Sequence, residues 1–333
     1  MEPEYGTGNG TRPFWAQVIF ALACATCLSI IVYVAWQFAE RAIPAGRINA
    51  PSYAAEPQIL NTLPEYRFAV HPLHNPQRLF ANFQPVIDII NARAKGFSVR
   101  LIAARDYGSF EKRLAEGEFD FALANPLQAL YSLDHGYRLV AKMGNDDQFR
   151  GLIISRRDSG IAQPNDLRGR TMIFPSSTAL AAAMMPRLFL HEKGLDLGTI
   201  RTSFSGSQES AIMNVYLGNA DAAGTWPMPW ELFLQERPEL ARELQVVWKT
   251  DPLVNNAIVA HHAMPESHVR QLVKILLELP QSKEGRAALE RLSLSEFEAT
   301  DASSYAPPVR QFLEAYRNAF PVSAAKNPLF PTP

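Results

Sequence analysis

Three consecutive hydroxyl side chains, Ser176, Ser177 and Thr178, stand between an apolar segment at 171–174 and an alanine- and methionine-rich segment at 179–185. Serine and threonine are favoured at helix starts because their side-chain oxygens accept the free N–H groups of the first turn. Three in a row exceed what one cap requires. The free N–H groups and the helix dipole also favour negative charge, and the hydroxyls add donors. The pattern predicts a small-oxyanion site at a helix start; the alternative is an ordinary capped helix after a strand.

Four further polar residues are candidates for the same site. Ser207 and Gln208 belong to a second hydroxyl-rich segment, 205–210, which again precedes a predicted helix. Asn125 and His71 each follow a predicted strand, and α/β folds place their ligands at strand ends. Donors from several segments can therefore meet around one ligand.

The elements that would position these residues extend from about 66 to 320. Apolar residues at helical spacing predict a helix at 78–94, and short apolar segments at 98–103 and 119–123 predict strands. Strands and helices continue to alternate along the rest of this region. The alternation predicts an α/β fold with a mainly parallel sheet.

The N-terminal part of the chain has a different character. No charged residue occurs from 13 to 39, and this segment is long enough to span a bilayer. A cleaved signal peptide would have a shorter apolar region and a small-residue cleavage site. The sequence therefore predicts one uncleaved transmembrane anchor between a disordered start at 1–12 and a proline-containing linker at 40–65. The tail at 321–333 is predicted to be loose.

Composition excludes several functions. The chain has 333 residues, of which 47% are hydrophobic, and a net charge of −1, so it lacks the basic field of a nucleic-acid-binding protein. Its two cysteines, Cys24 and Cys27, lie in the predicted anchor, which excludes thiolate chemistry elsewhere.

No nucleophile elbow, P-loop or Rossmann fingerprint is present, and neither an enzyme nor a cofactor is predicted. His71 and His74 have metal-ligand spacing but no third ligand, so no metal site is predicted.

An ordered series of segments resembles the phosphonate-binding branch of type 2 periplasmic solute-binding proteins. No single segment is specific, but together they cover about 66 to 320 in the order expected of that branch. The segments are Tyr107-Gly108-Ser109-Phe110, Gly117-Glu118-Phe119-Asp120-Phe121-Ala122, Asp158-Ser159-Gly160-Ile161, Asp166-Leu167-Arg168-Gly169-Arg170, Ser176-Ser177-Thr178, Gly206-Ser207-Gln208-Glu209-Ser210, Gly218-Asn219-Ala220-Asp221-Ala222-Ala223 and Ser304-Tyr305-Ala306-Pro307.

The resemblance implies a two-lobed type 2 periplasmic-binding-protein fold after the N-terminal anchor. One lobe would hold about 66–155 and 255–320, and the other about 156–254. The lobes would close on a small oxyanion of the phosphonate, phosphate or phosphite class and deliver it to an ABC transporter permease. The resemblance also implies that the domain, on its single-pass anchor in the bacterial inner membrane, lies on the periplasmic side. The basic residues that flank the anchor do not support this side: their count slightly favours a cytoplasmic C-terminal side or is a draw.

Two departures from the family pattern concern the ligand. Gln208 stands where a histidine is common, and a neutral amide supplies no positive charge. The segment 226–230 carries two tryptophans and is bulkier than a phosphonate site requires. Asp221 is the candidate partner for a ligand amine, although a structural cap is as common for a strand-end aspartate. Two alternatives stay open: a ligand-sensing input protein, and an enzyme on the same fold with a different ligand.

Overall fold

The structure is a computed structural model that describes Tyr33, residues 63–327 and Leu329. All of these except Tyr33 belong to one compact unit, 63–333. The predicted anchor at 13–39, apart from Tyr33, and the linker up to residue 62 lie outside the described residues. Among the helices that are described, none combines the length and apolarity needed to cross a membrane.

Eleven strands and eleven α-helices occur within residues 63–327. The strands are β1 (Glu65–Val70), β2 (Ser98–Ala103), β3 (Phe121–Ala124), β4 (Tyr137–Met143), β5 (Leu152–Arg156), β6 (Thr171–Phe174), β7 (Arg201–Phe204), β8 (Ala222–Thr225), β9 (Leu244–Lys249), β10 (Ala257–His261) and β11 (Phe297–Ala299). The helices are α1 (Pro76–Arg93), α2 (Tyr107–Ala115), α3 (Pro126–Leu133), α4 (Met185–Glu192), α5 (Gln208–Tyr216), α6 (Pro227–Glu236), α7 (Pro238–Ala241), α8 (Glu266–Leu277), α9 (Lys283–Arg291), α10 (Ala302–Ala319) and α11 (Pro321–Ala325).

The strands form two sheets, one in each lobe. The first has six strands in the order β11-β4-β10-β3-β1-β2, and the second has five in the order β7-β6-β8-β5-β9. The α/β fold with two lobes agrees with the expectation from the sequence.

Both sheets are mixed, which differs from the mainly parallel sheet expected from the sequence. In the first sheet β1 is parallel to β2 and β3, but β10 is antiparallel to β3 and β4. In the second, β5 is antiparallel to β8 and β9. A helical crossover on the sheet face makes neighbouring strands parallel. The chain enters β5 and β10 directly from the other lobe, so that constraint does not apply to them.

The chain crosses between the sheets at 144–151 and returns at 250–256. The first crossing precedes the boundary after residue 155 expected from the sequence, because β5 pairs wholly within the second sheet. The expected second boundary, between 254 and 255, falls inside the returning segment.

The segment after the hydroxyl cluster is not a simple α-helix. Leu180–Met184 forms a π-helical turn, here called the π-turn, and the Met185 N–H donates to the Leu180 carbonyl. Pro186 has no N–H to give to the Ala182 carbonyl, which an α-helical register would require. Gly224 makes room for this turn, since a Cβ there would lie 1.9 Å from the Ala182 oxygen.

Candidate functional site

Tyr107 lies at the interlobe cleft, where it is the first residue of the capped helix α2. Asp106 accepts the Ser109 N–H at 2.8 Å, and the two residues form a reciprocal capping box. Tyr107, the first residue of the helix, is buried. Burial raises the pKa of its phenol above the ordinary value of 10.0, so it remains a neutral donor.

Gln208 reaches the same cleft from the second lobe. The Ser207 hydroxyl accepts the Ser210 N–H at 3.2 Å and thereby caps α5, which fixes Gln208 at its first turn. The Thr225 hydroxyl donates to Gln208 Oε1 at 3.3 Å, and Gln208 Nε2 donates to the Tyr107 hydroxyl at 3.4 Å. The first bond orients the amide, and the second joins the two lobes.

The hydroxyl cluster lies at the lobe interface, and its three members differ in burial. Ser177 is exposed, Ser176 is half-buried and Thr178 is buried. The Ser176 and Thr178 hydroxyl oxygens are 3.1 Å apart, and the Thr178 N–H donates to Ser176 Oγ at 3.3 Å. None of the three caps the π-turn through its side chain. The hydroxyl side chains therefore bond to one another rather than cap the π-turn.

Asn125 connects the hydroxyl cluster to the first lobe. Its Oδ1 accepts the Gln128 N–H at 3.0 Å at the start of α3, and its Nδ2 donates to the Thr178 carbonyl at 3.1 Å. One side chain thus caps a helix of one lobe and holds the backbone of the other.

His71 is buried in the first lobe against aromatic rings. Its ring centroid lies 6.0 Å from that of Tyr107 and 6.2 Å from that of Phe110. Burial lowers the pKa of the imidazole to about 3, an effect that Asn256 only partly opposes. Neither ring nitrogen meets the geometry of a full hydrogen bond with a partner among the described residues, although the Asn256 amide is near enough to affect the pKa. His71 is therefore neutral at ordinary pH and keeps one donor and one acceptor available.

A small cavity remains between these groups. Its volume is about 10 Å³, which is close to the space one water molecule needs. The polar lining residues are His71, Tyr107, Asn125, Gln208 and Asn256, and the apolar ones are Phe149, Ala179, Leu180, Ala181, Ala182 and Trp226. A larger ligand can enter only if the lobes separate.

Comparison with known proteins assigns the family. The sequence profile of the family described as ABC transporter, phosphonate, periplasmic substrate-binding protein matches residues 68–305. The chain belongs to this family of phosphonate periplasmic substrate-binding proteins. The resemblance noted in the sequence is thereby confirmed.

Curated relatives of the chain are distant. The probable ABC transporter phosphite binding protein PhnD1 of Prochlorococcus marinus is 21% identical over 181 residues, which are 50% of this chain and 61% of that protein. The match thus spans less than two thirds of the relative. The phosphonates-binding periplasmic protein of Escherichia coli is 22% identical over 256 residues, which are 73% of this chain and 74% of that protein.

Solved structures share the two-lobed fold. A binding protein component of an ABC phosphonate transporter from Pseudomonas aeruginosa has a TM-score of 0.70 at 20% identity, covering 80% of this chain and 90% of that one. PhnD1 from Prochlorococcus marinus, solved in complex with methylphosphonate, also has a TM-score of 0.70, at 18% identity, covering 76% of this chain and 97% of that one.

Of the residues predicted from the sequence, His71, Asn125 and Gln208 line the cavity, whereas Ser176, Ser177, Thr178, Ser207 and Asp221 do not. Asp221 has a separate set of contacts within the second lobe. It immediately precedes β8, whereas the cavity-lining Trp226 follows the other end of that strand. Asp221 pairs with Arg170 at 2.9 Å and accepts the Thr171 N–H at 2.8 Å. These bonds are those of a structural cap, the alternative weighed for this residue.

Eight cavity residues were not among the site residues predicted from the sequence: Tyr107, Phe149, Trp226, Asn256 and the four residues at 179–182. Tyr107 belongs to one of the family-like segments, and its place before a predicted helix could have indicated it. The sequence indicates only that Trp226 is bulky. In the structure its ring centroid lies 5.5 Å from that of Phe149, so the two rings form an apolar wall. Phe149 and Asn256 lie in the two crossing segments, and no local pattern signals that position.

The interlobe cleft is bounded by a polar and ionic cluster, which we call the rim cluster. Its members are Asn75, Arg78, Glu209, Glu236 and Arg237. Arg78 of the first lobe pairs with Glu209 at 3.5 Å and also with Glu236. Asn75 Nδ2 donates to Glu209 Oε2 at 2.9 Å, and Arg237 lies 3.8 Å from Glu209. Since α1 and α5 belong to different lobes, these contacts favour the closed arrangement.

Proposed function

We propose that this protein captures a small tetrahedral oxyanion of the phosphonate, phosphite or phosphate class between its lobes and delivers it to an ABC transporter. The observation that carries the proposal is the convergence on one interlobe cavity of the π-turn, Tyr107 and Gln208. The named ligands of the relatives, phosphite and phosphonates, belong to the same class.

The chemistry of the cavity suits an oxyanion. The first N–H groups of a helix have no partner within it, and Leu180, Ala181 and Ala182 occupy this position in the π-turn at the cavity wall. Such groups bind anions without a formal positive charge. Tyr107 and Gln208 add side-chain donors, and each hydrogen bond to a charged group contributes about 1.5–3 kcal/mol net.

The side chains that line the cavity suit the binding of a ligand for transport better than they suit catalysis. Catalysis by proton transfer requires an acid or base held against the substrate. The polar side chains at the cavity are one phenol, three amides and one imidazole. The imidazole alone could act as a base, and its pKa of about 3 makes it a weak one.

The predicted anchor at 13–39 completes the proposal. An uncleaved helix would hold the binding domain at the periplasmic face of the inner membrane, close to a transporter permease. Cell fractionation with an antibody against the domain tests this point. A soluble mature form that begins after residue 25 would contradict the anchor, and a domain inaccessible to protease in spheroplasts would contradict the periplasmic side.

Calorimetric titration of the full-length protein in detergent with methylphosphonate, phosphite and phosphate tests the ligand class. We expect one-to-one binding of at least one of them with a Kd of about 1 μM or tighter. Gln208→Ala should weaken that binding, whereas Gln311→Ala, an exposed residue on α10, serves as the matched control. Absence of saturable binding by all three anions would contradict the proposal.

A further inference from the structure

A ligand amine has no partner at the interlobe cavity. Asp221, the candidate partner from the sequence, is held by Arg170 at 2.9 Å and by the Thr171 N–H at 2.8 Å, at the end of β8 away from the cavity. None of the described residues that line the cavity is an aspartate or a glutamate. A buried ammonium group without a counter-charge is costly. The amine of an aminoalkyl phosphonate is therefore disfavoured inside the cavity.

The rim cluster does not supply that partner either. Glu209 follows the cavity-lining Gln208 in α5, but its carboxylate already faces Arg78 at 3.5 Å and Arg237 at 3.8 Å. Glu236, the other carboxylate of the cluster, also pairs with Arg78. An ammonium group that pointed outward from the cavity would be repelled by the two guanidinium groups and would compete with them for the same carboxylates.

The apolar wall of the cavity is held in place through its backbone. Phe149 is 1% exposed; its N–H donates to the Asp146 carbonyl and its carbonyl accepts the Leu253 N–H, each at 2.9 Å. Trp226 is 3% exposed, and its carbonyl accepts the Trp230 N–H at 3.2 Å at the start of α6. Because the interior is closely packed around both rings, a bulky ligand displaces them only at a cost in packing.

Direct bonds between the lobes leave little room beside the wall. The cavity has a volume of about 10 Å³. Asn125 Nδ2 donates to the Thr178 carbonyl at 3.1 Å, and Gln208 Nε2 donates to the Tyr107 hydroxyl at 3.4 Å. Any ligand has to part these contacts to some extent, and each further methylene has to displace a ring of the wall or separate the lobes more. The ligand with the smallest substituent therefore permits the most complete closure.

We propose that Trp226 and Phe149 restrict the ligand to a phosphite or phosphonate whose substituent on phosphorus is hydrogen or methyl. Phosphonates with an amine or a longer chain are excluded. The inference rests on the proposed function and narrows the ligand class of the same site. Tyr107 and Gln208 donate to the oxygens of the ligand, and its substituent lies against the apolar wall.

The test is a series of ligands that differ only in that substituent. The full-length protein in detergent is titrated by calorimetry with phosphite, methylphosphonate, propylphosphonate and 2-aminoethylphosphonate. The tighter of the first two should bind about tenfold or more tightly than propylphosphonate, which brings two further methylenes against the wall. Propylphosphonate and 2-aminoethylphosphonate have nearly the same length, so their comparison isolates the charge. The amine should weaken binding about tenfold or more again.

Trp226→Leu reduces the wall while keeping it apolar. The smaller side chain leaves space for a longer substituent, so the affinity for propylphosphonate relative to methylphosphonate should rise about tenfold. The aminoethyl compound should still bind this variant about tenfold or more weakly than propylphosphonate, because leucine supplies no counter-charge. Trp248→Leu, the same change at a tryptophan outside the cavity lining, should keep the parent ratios. Phe149→Leu makes the same comparison at the other ring if circular dichroism shows that Trp226→Leu does not fold.

Three results would overturn the inference. One is an affinity of the parent for propylphosphonate or 2-aminoethylphosphonate that is within about threefold of the tighter small ligand, or above it. Another is binding of phosphate alone. The third is an unchanged ratio of propylphosphonate to methylphosphonate affinity in the folded wall variants. In each case the parent still binds an oxyanion and the proposed function stands. If the parent binds none of these anions, the proposed function fails and the inference with it.

Discussion

Replacement of Glu209 by glutamine tests whether the rim cluster holds the lobes closed. The change removes the charge that Arg78 meets at 3.5 Å and Arg237 at 3.8 Å. The amide oxygen of a glutamine can still accept from Asn75, so one cross-lobe hydrogen bond is preserved. The loss is therefore confined to the ionic part of the cluster.

The loss of closure free energy expected for Glu209→Gln follows from the burial and the length of the Arg78–Glu209 ion pair. The Arg78 and Glu209 side chains are 20% and 21% exposed, so their attraction is less screened than that of a fully exposed pair. Exposed ion pairs contribute up to about 1 kcal/mol, and we take about 1 kcal/mol for the lost closure energy. Since ligand is held in the closed form, Glu209→Gln should weaken apparent affinity about fivefold.

A double-mutant cycle measures the coupling directly. Ligand affinity is determined by calorimetry for Glu209→Gln, Arg78→Met and the double variant, and small-angle scattering follows the radius of gyration without ligand. Glu65→Gln is the matched control, because the Glu65–Arg100 pair lies within the first lobe and is more than half exposed. Coupling below about 0.3 kcal/mol, or an equal effect of the control, would refute the role assigned to the rim cluster.

Three further outcomes are expected. Replacing Ser177 and Thr178 together by alanine should weaken oxyanion binding about tenfold or more in calorimetry; parent-like affinity would show that the cluster matters only to the chain conformation. Gly224→Ala should destabilise the domain in urea unfolding by about 3 kcal/mol or more, because its Cβ would meet the Ala182 oxygen at 1.9 Å. Gly108→Ala, where the nearest atom is 3.8 Å away, should change stability by less than about 1 kcal/mol. The pKa of His71 falls from 6.5 to about 3, so stability should be lost as pH drops through that range, and His71→Asn should give a shallower loss in acid unfolding.

Local sequence patterns predicted an element correctly where the formation of that element depends on its own residues. Helix α1 was expected at 78–94 and occupies Pro76–Arg93, because its apolar spacing defines one buried face and Asn75 caps its start. The order of the family-like segments likewise indicated the two-lobed fold, since each carries its own turn or cap. The hydroxyl cluster was located by composition alone, and the structure places it at the lobe interface.

Partners far apart in the chain could not be read from local pattern. Glu111 lies in a charged helical stretch that resembles an ordinary solvated face, yet it is buried and accepts a hydrogen bond from Gln128 Nε2 at 3.0 Å. Asp221 and Arg170 also find each other only in the folded second lobe.

The sequence by itself determined the fold class, the family and the position of the hydroxyl cluster, because periodicity, caps and segment order are properties of neighbouring residues. Only the tertiary structure decided the antiparallel insertion of β5 and β10, the π-turn and the residues that close the cavity. Phe149 and Asn256 reach that cavity because they lie in the two segments that cross between the lobes. The local spacing of residues does not indicate where such a segment lies in the fold. Strand direction and cavity lining depend on which distant surfaces bury each other, and burial is a property of the whole fold.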